Sequence, residues 1–366
     1  MSDPAAHTTV AFADLPGWGD DDHRPALAAF LATFASLKPS AVYPGAMLEP
    51  LGRSAVDAWH AEDGPIGRQA ARQFFERYFE PHRIGSGGLQ GFVTGYYEPE
   101  LKGARTWSPE YPVPLYKRPP DLINVVSETD RGAAIVPYTH LRRTVTGVEP
   151  YATRADIELG ALSGQALELV FLADPVEAFF LQVQGSGLVQ FDDDTSLRVT
   201  YDGKNGHPYT SIGKVLIERG LFSAQAMTLD ALGEWLRANP GQATEVMREN
   251  KSFVFFRALS GAEAQAPQGV LGAPLTEGRS LAVDPAFHQL GLPIFLHAPS
   301  LPDDNGAPPT KPAFNRLMIA QDVGSAIKGP GRGDIFFGSG PAAGARAGVT
   351  KHACTFFALL PKRAAP

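Results

Sequence analysis

The chain has one cysteine, Cys354, among 366 residues, which excludes an intrachain disulfide and any zinc site built on several thiolates. Its nine histidines, at 7, 23, 60, 82, 140, 207, 288, 297 and 352, form no H-x-x-x-H pair and no pattern with flanking carboxylates. No metal is therefore expected. Basic clusters are no longer than pairs such as Arg142-Arg143, and the formal charge is −7, so nucleic acid is not expected as a partner. The most apolar run, ALELVFLADPVEAFFLQV at 166–183, is broken by Asp174, Pro175 and Glu177 and does not qualify as a membrane span. The first residues, MSDPAAHTTVAFADLPGWGDDDH, lack a basic region, an apolar region and a cysteine for lipid attachment. They do not read as a signal peptide, which leaves either a cytosolic protein or an exported one whose signal is not part of this chain.

What is present is a folded composition, with 44% hydrophobic and 19% charged residues. The length suits two domains. With 38 glycines and 32 prolines, and no repeat, it points to many tight turns and a β-rich architecture. Leu27, Phe30, Leu31, Phe34 and Leu37 recur at helical steps, as do Ile66, Ala70, Phe74 and Tyr78 after Pro65, giving two or three helices in the first eighty residues. From about residue 91 short apolar runs alternate with Gly and Pro, the pattern of strands and turns. Helices are expected over 210–219, stopping at Gly220, and over 229–238, stopping at Asn239-Pro240. KSFVFFRAL, RSLAVD, LPIFLHAP, RLMIAQDVG, GDIFFG and ACTFFALL are then six strand candidates, enough for a small barrel or sandwich. The segment 261–269 reads as a surface loop, and Cys354 as an inert buried thiol.

Two stretches carry candidate chemistry. QDVGSAIKGPGRGDIFFGSG, 321–340, places six glycines around Asp322 and Asp334. Neither a Walker loop nor a G-x-G-x-x-G fingerprint fits its spacing. Both acids sit at strand ends, where loops offer groups to a rigid sheet. A carboxyl beside Ile335, Phe336 and Phe337 is partly desolvated and stays protonated to higher pH, as a general acid requires. The competing reading is that both aspartates only bond turn amides. TGYYEP, 94–99, places Tyr96 and Tyr97 on opposite faces of a strand. With Thr94 and Glu98 they supply the ring faces and polar groups of a sugar groove, or else an ordinary aromatic turn.

Taken in order, TGYYEP, YPVPLYKRPP, FFLQVQGSG, YDGKNGHPYTSIGKVLIERG, NKSFVFFR, LTEGRSLAVD and QDVGSAIKGPGRGDIFFGSGPAAGARAG resemble the membrane-bound lytic murein transglycosylase A family. The tail from Asp284 through Asp322 to Asp334 also resembles the three-aspartate domain that this family shares with other cell-wall proteins. The resemblance implies a mainly β fold with flanking helices: a double-psi β-barrel from 1–104 and 241–366, a smaller β-rich domain inserted at 105–240, and a substrate groove between them. It implies a peptidoglycan lytic exotransglycosylase, a lyase acting on polysaccharide. Such an enzyme cleaves the β-1,4 bond between N-acetylmuramic acid and N-acetylglucosamine without water and leaves 1,6-anhydromuramoyl ends. A single carboxyl suffices, and by motif position it is Asp334, with Asp322 in support. Thr94, Gly95, Tyr96, Tyr97, Glu98, Gln184, Gly185, Ser186, Lys204 and Asn205 are expected to bind substrate. Asp284 is also carried over, although its more natural role is to brace a turn. No cofactor is implied. Glycan strands are the expected partner and the periplasm the expected location, with outer-membrane association if the full-length protein is lipidated. A two-carboxylate hydrolase and a non-catalytic murein-binding protein are the alternatives.

Overall fold

The computed structural model describes residues 7–37, 45–60, 66–85, 90–125, 138–301 and 314–362, so Pro65 lies outside the described residues. The chain divides into two compact units. One comprises Met1–Tyr96, Gln268–Gly338 and Thr350–Pro366; the other comprises Tyr97–Pro267 and Ser339–Val349.

The first unit opens with three helices, His23–Ser36, Gly45–His60 and Arg68–Tyr78. The first is capped by the Asp22 carboxylate, which accepts from the Arg24 amide at 3.1 Å and so satisfies one of the open donors of the first turn. Leu27 and Phe30, singled out by the helical period, are buried. Phe30 meets Phe74, Phe75 and Phe79 at centroid separations of 5.9, 6.4 and 6.0 Å. This aromatic cluster packs on Phe295, Leu317, Ile319, Phe357 and Leu359 of the sheet.

That sheet runs in the order His7–Thr9, Phe79–Ile84, Lys351–Pro361, Pro293–Ala298, Phe314–Val323, Ser280–Val283, Arg332–Ser339, Gly91–Glu98. Lys351–Pro361 pairs in addition with Gly91–Glu98, which closes the last six into a barrel and leaves no free edge among them. Ser280–Val283 and Phe314–Val323 run parallel. The mainly β barrel with flanking helices is thus the observed fold, and five of the six late strand candidates belong to it.

The sixth does not. Val254–Ala258 is the edge of a separate six-stranded sheet in the second unit, ordered Val254–Ala258, Ser196–Lys204, Ser186–Gln190, Glu100–Ala104, Glu168–Leu172, Val113–Tyr116. This is why the compact units divide at Tyr96/Tyr97 and Pro267/Gln268 rather than near 104 and 241. Glu100–Ala104 and Val254–Ala258 find their backbone partners in the second unit. Helix Gly340–Val349 also belongs there.

The 166–183 run resolves into strand Glu168–Leu172 and helix Pro175–Gln184. Asp174 caps that helix, Pro175 opens it and Gly185, at φ +84°, ends it in the left-handed conformation. The residues read as interruptions are its start signals. Asn239-Pro240 likewise ends Leu229–Ala238 and also begins Pro240–Glu249, because proline is well suited to a first turn. The helix expected over 210–219 spans Ile212–Glu218, capped by Ser211. Segment 261–269 is largely exposed and contains a 3-10 turn, Gly261–Gln265. Among the described residues no helix is long and apolar enough to cross a membrane.

Candidate active site

Strand register decides which acids meet. In the barrel Ala282 lies opposite Asp334 on one side and opposite Asp322 on the other. Residues paired across strands point to the same face, so both carboxyls flank the Ala282 methyl, with Cα atoms about 10 Å apart from two strand spacings.

A bulge makes this possible. Leu281 pairs with Ala320, but Ala282 pairs with Asp322, skipping Gln321. Without that extra residue, period-two alternation would turn Asp322 to the opposite face. Gln321 is fully buried; its amide accepts from the Ser280 hydroxyl and donates to Thr33 Oγ1 at 2.8 Å.

Thr94 and Tyr96, two residues apart on one face of Gly91–Glu98, serve one acid each. Thr94 Oγ1 donates to Asp334 Oδ1 at 2.6 Å, and Tyr96 Oη donates to Asp322 Oδ2 at 3.1 Å. Asp322 Oδ1 accepts two backbone amides, Val323 at 2.9 Å and Val270 at 3.3 Å. Asp334 differs: Oδ2 takes no hydrogen bond among the described residues. Tyr96 packs on Phe336, in a buried cluster with Ala282 and Leu275.

Burial pushes the Asp334 carboxyl from 3.8 up to about 6, against the Thr94 hydrogen bond and the Arg332 charge, which pull it down. Burial likewise pushes Asp322 up to about 6, against its three donors and with a smaller upward push from Asp334. Both acids therefore keep a proton into mildly acidic solution for the physical reason read from their apolar neighbours. Cys354, buried, has its thiol pushed up to about 12, which leaves it unreactive.

The glycine-rich loop between the acids crosses the end of Ser280–Val283, the strand lying between theirs. Asp284 pins it: Oδ2 accepts from the Gly329 amide at 2.8 Å, while Oδ1 accepts from Ala286 at 3.2 Å. His288 Nε2 adds a hydrogen bond to the Pro330 carbonyl at 2.6 Å. Asp284 is 2% exposed, and both of its oxygens are taken up by these turn amides. Gly329 has φ +101°, a conformation that only glycine adopts without strain.

The remaining expected residues separate. Gly95 is half-buried between Thr94 and Tyr96, on the other face. Tyr97 belongs to the second unit, where it lines a pocket with Phe180, Glu177, Asp230 and Arg237; its amide donates to Gln184 Oε1 at 3.2 Å. Glu98 is another of the expected substrate residues. It is fully buried and binds Arg198 Nε at 2.7 Å and Ser339 Oγ at 2.7 Å. Asn205 is also fully buried: Nδ2 donates to the carbonyls of Ala152 and Lys251, and Oδ1 accepts from the Phe253 amide. It is a brace, as its hydrogen-bonding capacity is spent on backbone. Gly185 is the helix terminus already described, and Ser186 and Lys204 are buried.

Arg332, to which the sequence reading assigned no role, also lies here. Its Nη2 donates to Thr94 Oγ1 at 2.7 Å. The available signal was spacing: Arg332 and Asp334 are two apart on a strand and share a face.

Comparison with known proteins adds to this geometry. Residues 92–257 match the MltA specific insert domain and residues 279–360 match the 3D domain. The membrane-bound lytic murein transglycosylase A of Vibrio cholerae is 43% identical over 206 residues, 55% of this chain and 53% of that protein, so the chain spans about half the length of this curated relative. The crystal structure of a membrane-bound lytic murein transglycosylase from Agrobacterium tumefaciens superposes with a TM-score of 0.85 at 36% identity, covering 97% of this chain and 98% of that one. Escherichia coli MltA with bound chitohexaose superposes at 0.69 and 27% identity, over 99% and 96% of the two chains. With near-complete coverage at this identity, and both family domains matched in order, the chain belongs to the membrane-bound lytic murein transglycosylase A family.

Proposed function

We propose that this protein is a lytic transglycosylase acting on peptidoglycan glycan strands, with Asp334 as its only acid and base. The names of its relatives support the substrate class, and the chitohexaose bound to the Escherichia coli relative supports a β-1,4-linked amino-sugar chain as ligand. The reading of mechanism rests on one contrast. Asp322 has both oxygens engaged by three donors, whereas Asp334, which like Asp322 carries a proton up to about pH 6, keeps Oδ2 open. A hydrolase needs a second carboxylate free to activate water, and Asp322 is tied down.

In the proposed reaction the Asp334 carboxylic acid protonates the glycosidic oxygen between N-acetylmuramic acid and N-acetylglucosamine, and the bond from that oxygen to C1 breaks. The muramoyl ring passes through an oxocarbenium-like state. Asp334, now a carboxylate, takes the proton of the ring's own C6 hydroxyl as its oxygen bonds to C1. A 1,6-anhydromuramoyl end results, the carboxylic acid is regenerated, and no water is consumed. Thr94 and Tyr96, hydrogen-bonded to Asp334 and Asp322, are the residues we assign to substrate contact. The family name places the relatives at membranes; for this chain we propose the periplasm and a role in cell-wall turnover, with outer-membrane association where an anchor is present.

Mass spectrometry of digested murein tests the reaction. Muropeptides with 1,6-anhydro ends are expected; reducing N-acetylmuramic acid ends would sink this reading in favour of a hydrolase. Asp334→Asn is expected to abolish sugar release while retaining binding to glycan strands, because Asn keeps the shape but cannot deliver a proton.

A further inference from the structure

The Thr94 hydroxyl has one proton and two neighbours, and the neighbours are chemically opposite. Arg332 Nη2, 2.7 Å away, can only donate, so it must occupy a lone pair of Thr94 Oγ1. Asp334 Oδ1, 2.6 Å away, is left to receive the hydroxyl proton. A free threonine hydroxyl rotates; this one has its direction set by the guanidinium. Arg332 is in turn held by its own hydrogen bond to the Gly333 carbonyl and by the Phe92 ring, 5.6 Å from its central carbon.

The consequence falls on the acid. Once Oδ1 accepts the Thr94 proton, the carboxylic proton of Asp334 must sit on Oδ2, the oxygen without a hydrogen bond among the described residues. Were the rotor free, the proton would be shared between the two oxygens, and the Oδ1 tautomer would be turned toward Thr94, unable to protonate a substrate.

We propose that Arg332 is a positioning residue of this site, acting through the Thr94 hydroxyl to fix which oxygen of Asp334 carries the reacting proton. The proposal rests on Asp334 being the general acid. The charged and titratable groups facing Asp334 are Arg332 on its own strand and Tyr96 on the strand of Thr94. Asp322 lies across Ala282, and Lys351 stands at the register position opposite Thr94. Of these, Arg332 is the one linked to Asp334 through a single intervening hydroxyl.

The test measures kcat and KM against pH on purified peptidoglycan for wild type, Arg332→Gln, Arg332→Lys and Thr94→Val. Wild-type activity should fall as pH rises through the pKa of Asp334. Removing the Arg332 charge and freeing the rotor should lower the pH-independent kcat by about twofold, the share of the proton lost to Oδ1, with KM unchanged, and should move the alkaline limb upward by about one pH unit. Thr94→Val should reproduce the loss of kcat and the upward limb, with KM free to change because Thr94 also contacts substrate, and Arg332→Lys, which keeps charge and donor, should restore most of the rate. An unmoved limb in Arg332→Gln overturns the proposal, as does a change confined to KM, which would place Arg332 on the substrate. If Arg332→Gln does not fold, the limb in Arg332→Met, which keeps the side-chain length without charge or donor, decides the matter. The same digests separate the two readings: reducing ends from wild type refute the transglycosylase, whereas anhydro ends with an unmoved limb refute only the role of Arg332.

Discussion

An acid kept protonated by burial must weaken the fold whenever it is ionised, and Asp334 allows that cost to be measured. Its carboxyl is raised from 3.8 to about 6 in the folded protein, whereas the unfolded chain titrates near the ordinary value. Between these limits the folded state binds a proton that the unfolded state has lost. Stability therefore falls as pH rises from about 4 to about 6 and stays lower above that. The full displacement corresponds to about 3 kcal/mol. The residue as a whole is half-buried and the carboxyl keeps its Thr94 hydrogen bond, so a realised cost of about 1–2 kcal/mol is the sounder figure. Asp334→Asn removes the ionisation and keeps an acceptor for Thr94. It should therefore be more stable than wild type near neutral pH by about 1–2 kcal/mol, or roughly 1–3 °C in melting temperature for a chain of this length. The difference should vanish below about pH 4. Thermal or urea unfolding of both proteins across that pH range is the assay. An Asn variant no more stable than wild type near neutrality, or an equal gain at low and neutral pH, would refute the claim that Asp334 is buried at electrostatic cost.

Three further outcomes follow from the same geometry. The pH profile of kcat/KM should decline above about 6, since the protonated form of Asp334 starts the reaction; a rate still rising through that range would exclude it as the acid. Glu98→Ala should destabilise the protein by about 3–5 kcal/mol, by leaving Arg198 without its buried partner. Any fully folded fraction should retain glycan binding, and a selective loss of affinity in stable protein would return Glu98 to the substrate site. Gln321→Ala should cost about 1–3 kcal/mol, because the buried Ser280 hydroxyl loses its acceptor and Thr33 Oγ1 loses a donor, and should lower kcat by loosening the bulge that aims Asp322; an unchanged unfolding midpoint would show that the bulge does not depend on this side chain.

Much of the local structure was written in the sequence because it is decided within a few residues. Leu27 and Phe30 at helical spacing, Ser211 before Ile212, and the alternation through Thr94 and Tyr96 each follow from backbone geometry and a near neighbour. The signals that misled were also local. Pro175 and Pro240 read as breaks, yet the same residue type that stops one helix opens the next, and only the following turn distinguishes the two.

By itself the sequence determined a β-rich chain with helices at its start, a glycine-rich turn carrying two acids beside apolar strands, and the ordered motifs of one family. The tertiary structure alone decided the pairing. It set Ala282 between Asp322 and Asp334, skipped Gln321 to turn Asp322 to the Asp334 side, assigned Val254–Ala258 to the second unit and buried Glu98 against Arg198. It also brought the hydroxyl of Thr94, 240 residues away in the chain, onto the acid. The physical reason is that strand partners and buried charges are chosen by long-range packing. Residues hundreds of positions apart can satisfy one another's hydrogen bonds with no trace in the local periodicity of either strand.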